Sequence, residues 1–337
     1  MKKQIYPACQ NGSMIPFVTA TGHLIPCCQS YAMGADKHFL RDEFDLNYHS
    51  YDDVVNGKEW QDFIDDFTYT NQPICIEKCG GDQEIRNSPN QIRFDKDLKY
   101  NPIKIKTTDV KGIQFETTDR CTLKCPFCAR INVADRGYAH LLNKNDLSPA
   151  VAEDVILARD WEYVLDCGTH GDSVFYKHYH EMLDSMARST VKTFRVSIAA
   201  TGKTQKWWDE THLLWNILVK KRMSVVIFWG IDGLEDTSSI HRIGQDWAEI
   251  TDQMRRAQEY GVYSQWQYIP FIHNEHQIEE AQALAKQWKV NFVLKPSDRF
   301  HTSDDSNSIN MRPSNPDHSY HIDPTDGRAL NTPTQIS

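Results

Sequence analysis

Between residues 109 and 298 short apolar runs alternate with amphipathic stretches, and this alternation constrains the fold more than any other feature of the chain. Strands are expected through Ile113 and Phe115, at Tyr163-Val164-Leu165, and through Phe194, Val196 and Ile198. Further strands are expected at 225–229, within 262–271, and at Phe292-Val293-Leu294. Helix faces are marked by Val151, Val155 and Ala158, and by Tyr176, Tyr179, Leu183 and Met186. Trp207, Leu214 and Leu218 mark a third, and Trp247, Ile250, Met254 and Ala257 a fourth. Ile278, Ala281, Ala285 and Trp288 mark the last. Apolar residues three and four apart share one side of a helix, so these stripes read as core packing. The continuous run Val225 to Trp229 reads as a strand covered on both sides. Repeated strand–helix units imply an α/β fold: a parallel sheet with right-handed crossovers, its sites at the carboxyl ends of the strands.

Directly after the first expected strand come Cys121, Cys125 and Cys128, spaced C-x3-C-x2-C. Soft thiolates are the natural ligands of iron–sulfur clusters or zinc, and structural zinc wants a fourth nearby ligand that this loop does not clearly offer. A [4Fe–4S] cluster held by three thiolates keeps one iron open for a substrate or cofactor. With Phe127 just before the last thiol, the motif resembles that of the radical S-adenosylmethionine (SAM) superfamily. The resemblance implies a partial (β/α)6 TIM-like barrel over 109–298 and SAM chelated at the open iron. It also implies reductive cleavage of SAM to a 5′-deoxyadenosyl radical.

The same resemblance points to SAM-binding groups. Asp166 to Ser173 is similar to the family's second motif, with Gly171 and Asp172 at the positions of backbone approach and carboxylate. His170 and Ser173 replace the usual glycine and proline. Asp172 is the carboxylate for the SAM ammonium, and capping of the helix starting near Val174 is compatible with that role. Ala200-Thr201-Gly202 aligns with a Thr-Asn-Gly triplet, so Thr201, or Ser197, offers a hydroxyl. Asp232, followed by Gly233, is an acid for the SAM ribose or a turn residue. In His241-Arg242, Arg242 offers a fork to the SAM carboxylate or is a surface ion-pair residue. Gln265, Gln267 and Tyr268 suggest ligand contacts in the barrel or plain alternation. His273 to His276 has the residue types of a metal cluster, but at a loop-to-helix start it reads as capping. No catalytic acid or base is assigned.

Residues 1–82 carry a second thiol pattern. Cys9-x12-Gly22-x4-Cys27 frames a hairpin with its turn at Thr21-Gly22, and Trp60, Phe63, Ile64 and Phe67 give the following helix one apolar face. Cys75-x3-Cys79 closes the segment. The pattern resembles a SPASM or twitch domain, placed here before the barrel instead of after it. The resemblance implies an auxiliary [4Fe–4S] cluster on Cys9, Cys27, Cys75 and Cys79, with Cys28 as substitute for Cys27; a zinc ribbon on the same thiols is the alternative. Residues 83–108 read as a polar linker, and 299–337 as a polar, extended tail.

Net charge is −9, which argues against bulk nucleic-acid binding. The N-terminus lacks an apolar leader, no run is long enough for a membrane helix, and nine cysteines suit metal or redox use in a reducing cytoplasm. The resemblance implies hydrogen abstraction from a peptide or small molecule, as modification or dehydrogenation, with flavodoxin or ferredoxin as electron donor. The alternatives are a non-catalytic zinc or iron–sulfur protein, and a radical methyltransferase or sulfur-inserting enzyme.

Overall fold

The computed structural model describes residues 15–26, 40–69, 110–135, 139–166, 168–297 and 311–318. The strands are β1 (Phe17–Val18), β2 (Leu24–Ile25), β3 (Gly112–Phe115) and β4 (Tyr163–Asp166). They continue as β5 (Thr193–Ile198), β6 (Ser224–Gly230), β7 (Tyr263–Tyr268) and β8 (Asn291–Leu294). The helices are α1 (Tyr51–Asn56), α2 (Lys58–Tyr69), α3 (Ala129–Asp135), α4 (Pro149–Leu157) and α5 (Tyr179–Arg188). After them come α6 (Gln205–Lys220), the single turn α7 (Ser238–His241), α8 (Trp247–Glu259) and α9 (Ile278–Gln287). The sheet order is β2-β1-β3-β4-β5-β6-β7-β8. From β3 to β8 every adjacent pair is parallel and consecutive in sequence, the arrangement of a partial (β/α)6 barrel.

Local chemistry starts the helices where the sequence turns. Thr204 accepts from the Trp207 amide ahead of α6, and Asp246 from the Glu249 amide ahead of α8. Each cap satisfies an amide that the first turn leaves without an intrahelical partner. Helix α8 stops at Tyr260, and Gly261 takes φ +81°, a conformation that glycine adopts without steric cost.

The two faces of the sheet differ. Phe194, Val196, Ile198, Val225, Ile227 and Trp229 are buried against the helices, and Trp229 packs on Trp208 and Trp215 of α6 at 6.3 and 6.4 Å. Their neighbours in sequence, Ser197, Val226 and Phe228, are only half-buried. The apolar run on β6 is therefore covered fully on one side, not on both, because the other side lines the open interior of an incomplete barrel. The core stripe of α6 is also rotated from the expected one. Trp208, Thr211, His212, Trp215 and Leu218 are buried, while Trp207 and Leu214 are half-buried. The observed set is the better helical repeat, and the tryptophans at 208 and 215 fill the space beneath β6.

The N-terminal hairpin forms as expected, with Phe17 opposite Ile25 and Gly22 at φ +92° in its turn. Its β1 strand also pairs in parallel with β3, through Phe17–Gln114 and Val18–Phe115. Behind it, Tyr51 of α1 meets Trp161 edge-on at 5.5 Å, and Phe44 meets Trp60 of α2 at 5.1 Å. The described N-terminal residues thus share the barrel's sheet and one apolar core. Cys9, Cys27, Cys28, Cys75 and Cys79 lie outside the described residues, as does the 83–108 linker. Within the stretch expected to be a tail, residues 311–318 pack back on the strand ends: Met311 accepts from the Ile272 amide, and Glu275 accepts from the Ser314 and Asn315 amides. Among the described residues no helix is long and apolar enough to cross a membrane.

Candidate active site

The three thiols stand at the carboxyl end of β3, in the loop that runs from Glu116 into α3. The loop is folded by its own backbone. The Cys128 amide donates to the Cys125 carbonyl at 3.2 Å, and the Ile131 amide to the Cys128 carbonyl at 2.9 Å. It is tied to neighbouring strand ends as well. The Lys124 amide donates to the Ile243 carbonyl at 3.0 Å, and Thr122 Oγ1 to the Thr201 carbonyl at 3.3 Å. Leu123 is buried beneath the loop, and Arg130 closes it, with Nη2 on the Leu123 carbonyl at 2.8 Å and Nε on Cys128 Sγ at 3.4 Å. All three thiols are half-buried.

Burial, and then the negative charge of Asp172, push the Cys121 thiol up to about 12. Such a thiol stays protonated until a metal displaces the proton. Three soft donors on one short loop fit a [4Fe–4S] cluster, in which each thiolate binds its own iron. Among the described residues no group of His, Cys, Asp or Glu side chains is gathered around a single ion.

Behind the thiols, two buried acids shape the loop after β4. Glu116 is fully buried and accepts from the amides of Thr169, His170 and Gly171 at 2.8, 2.9 and 2.8 Å. Burial pushes its carboxyl up to about 8, while those amides pull the other way. Gly171 is needed for this grip, because a Cβ there would come within 2.0 Å of the Thr118 carbonyl oxygen. Asp172 accepts from the Ala199 and Ala200 amides at 2.7 Å each, and from the Val174 amide at 3.3 Å. Its carboxylate therefore joins the β4 loop to the end of β5 and caps the turn at Ser173–Phe175.

At the next strand ends, Thr201 Oγ1 accepts from the Asp246 amide at 2.9 Å. Gln245 donates to the Ala199 and Gly230 carbonyls at 2.6 and 2.9 Å. Asp232, just past β6, is 0% exposed. Its Oδ2 lies 2.8 Å from both His241 Nδ1 and Arg242 Nε, and its Oδ1 accepts from the Ile269 amide at 2.9 Å. Burial disfavours this charge, but Arg242 and His241 outweigh it and hold the carboxyl down at about 2. The acid thus faces protein donors and positions Arg242. The guanidinium of Arg242 lies over Gly230, where a Cβ would come within 2.8 Å of Nη2, and it feels the charges of Cys125 and Asp172.

Phe127 leans the cluster loop on the end of β7. Its ring stacks at 6.0 Å from His241 and 6.4 Å from Phe271, and Met311 packs on the same group. Asn274 builds the turn beneath, donating to the Asp232 and Ile269 carbonyls and accepting from the Phe271 amide. The 273–276 stretch is thus a turn and an anchor for the 311–318 segment.

The fold brings Phe127, Thr201, Asp232 and Arg242 around the cluster loop, with Gly171 and Asp172 behind it. Tyr268 leaves the group, because it faces the helices and donates to the Asn274 carbonyl at 2.7 Å. Glu116, Gln245 and Phe271 were not read from the sequence. Glu116 had a usable signal, an acid directly ending an apolar strand; Gln245 and Phe271 had none.

No family model matches the chain, and no curated protein does. Among solved structures, SuiB of Streptococcus suis bound to S-adenosylmethionine is similar at 12% identity and TM-score 0.44, over 90% of this chain and 65% of that one. SuiB bound to its precursor peptide SuiA is similar at 14% identity and TM-score 0.41, over 83% and 61%. The radical S-adenosylmethionine methyltransferase TsrM of Kitasatospora setae, with cobalamin and a [4Fe–4S] cluster, is similar at 11% identity and TM-score 0.40, over 57% and 39%. The chain therefore spans less than two thirds of the length of each of these proteins.

Proposed function

We propose that this chain is a radical SAM enzyme that modifies or dehydrogenates a peptide or small substrate. The observation that carries the reading is the C-x3-C-x2-C loop itself. It stands at the carboxyl end of the barrel's first strand, tied to the loops after β5 and β6. Cys121, Cys125 and Cys128 would hold the [4Fe–4S] cluster, and SAM bound there would supply a carbon radical on reduction. Arg242, held by Asp232, offers a guanidinium fork to a carboxylate. Thr201 and Phe127 border the same loop and would line the SAM site, and Gly171 and Asp172 set the shape of the wall behind. Cys9, Cys27 (or Cys28), Cys75 and Cys79 would hold an auxiliary cluster, and a flavodoxin- or ferredoxin-type donor would supply the electron.

Anaerobic reconstitution tests this. The expected result is about eight irons per chain and 5′-deoxyadenosine on reduction with SAM. Cys125→Ala should abolish cleavage, and Cys75→Ala should leave cleavage but lose product. Zinc without SAM cleavage sinks the enzyme reading; methylated or thiolated product would redirect it to the transferase class.

A further inference from the structure

The open face of the sheet carries a charge that the cofactor site does not use. Arg195 lies in the middle of β5, an inner strand, in register with Leu165 of β4 and Val226 of β6. Its sequence neighbours Phe194 and Val196 are fully buried on the helix side, yet Arg195 itself is exposed. It makes no ion pair with any described residue. Its guanidinium lies instead over the ring of Tyr163, 5.6 Å from the centroid. That ring occupies the place a side chain on β3 would take, since a Cβ on Gly112 would come within 2.2 Å of it. Three adjacent strands therefore build one platform: the bare backbone of Gly112, the ring of Tyr163 and the cation of Arg195. A cation held over a ring face has fewer rotamers to lose when it binds.

The surroundings define the ligand. Half-buried Leu165 and Val226 flank the cation on the neighbouring strands. Toward the cluster loop the same face offers Ser197, Phe228 and Gln265 in register, then Gln267. No carboxylate lies on this face of β4 to β7 among the described residues. The nearby acid Glu116 is engaged by three amides. The Arg195 backbone stands four residues before Ala199, about 13 Å along the strand at ~3.3 Å per residue, and its guanidinium reaches back over Tyr163, in register with Thr193, so the span to the cluster loop is that of roughly four to six extended residues.

We propose that Arg195 anchors a carboxylate of an extended peptide substrate lying along this face. Ser197, Gln265 and Gln267 would meet its backbone, and its reacting residue would lie at the cluster loop. The proposal rests on the radical SAM reading for the identity of this face as the substrate side.

The test uses the full chain, reconstituted anaerobically, in equilibrium dialysis against three pools of acetylated hexapeptides. The pools differ only in carrying a Glu with an amidated end, a Gln with an amidated end, or a Gln with a free carboxyl end. A carboxylate-bearing pool should be retained about tenfold over the neutral pool, and which one is retained tells a side-chain from a terminal carboxylate. Arg195→Gln should remove the preference, and Arg195→Lys, a point charge without the fork, should keep part of it. Equal retention of all pools, or a preference surviving in Arg195→Gln, overturns the proposal. If Arg195→Gln fails to fold, phenylglyoxal labelling of the unsubstituted protein decides. The retained pool must slow modification of Arg195 and the neutral pool must not; absence of protection overturns the proposal. Release of 5′-deoxyadenosine is measured separately. Its absence beside an Arg195-dependent preference sinks the enzyme reading alone, and its presence without the preference sinks the anchor alone.

Discussion

Replacing Asp232 by Asn keeps the shape of a fully buried side chain and removes the charge that organises Arg242 and His241. In the folded protein that carboxylate meets His241 and Arg242 at 2.8 Å each and the Ile269 amide at 2.9 Å. Taking one partner from a buried ion pair costs about 3–5 kcal/mol. Arg242 keeps 16% of its side chain exposed and the Asn oxygen still accepts one bond, so the lower end, about 3 kcal/mol, is expected. For a chain of this length that lowers Tm by about 4 °C. The effect has a pH signature. Asp232 titrates at about 2 in the fold against 3.8 unfolded, so the unfolded chain binds its proton first as pH falls. The stabilisation is complete above pH ~4, is lost as pH falls toward ~2, and is worth about 2–3 kcal/mol. Urea denaturation at pH 7 and at steps down to pH 2 reads both quantities. The variant and the unsubstituted protein should differ at pH 7 and converge at acid pH. A difference at pH 7 below about 0.5 kcal/mol, or parallel curves through the acid window, would refute the argument that this charge is held by its partners.

Gly171→Ala should destabilise by about 2 kcal/mol or more, because its Cβ meets the rigid Thr118 carbonyl; calorimetry gives the value. Gly230→Ala crowds Ala199 and the guanidinium that pairs with Asp232, so Tm should fall, as scanning calorimetry reads. Glu275→Ala removes the acceptor that holds the Ser314 and Asn315 amides, so hydrogen exchange should speed at 311–318 and not in β6.

The strand–helix alternation was legible because it is a local property. A strand's period of two and a helix's of 3.6 residues are written into consecutive side chains. Strands β3 to β8 accordingly fall where Ile113, Val164, Phe194, Ile227, Trp266 and Val293 place them. The cluster loop was legible for the same reason, since C-x3-C-x2-C packs its donors into eight residues. Asp232 and Thr201 were legible as positions at strand ends and Arg242 as a residue of the long loop after β6, but none of them in its partners. A carboxylate shows no preference in sequence between a ligand and an arginine ten residues away, and only the fold put Asp232 against Arg242 and not in the open site.

The sequence by itself determined the period of each element and the thiols of the loop, because those follow from side chains within a few residues of one another. The tertiary structure decided which face of the sheet stayed open, how the N-terminal hairpin joined β3, and where residues 311–318 docked. It also decided that Glu116 and Asp172 serve backbone amides from 27 to 55 residues away. Those outcomes depend on pairings between distant segments, which only the completed sheet brings within hydrogen-bonding reach.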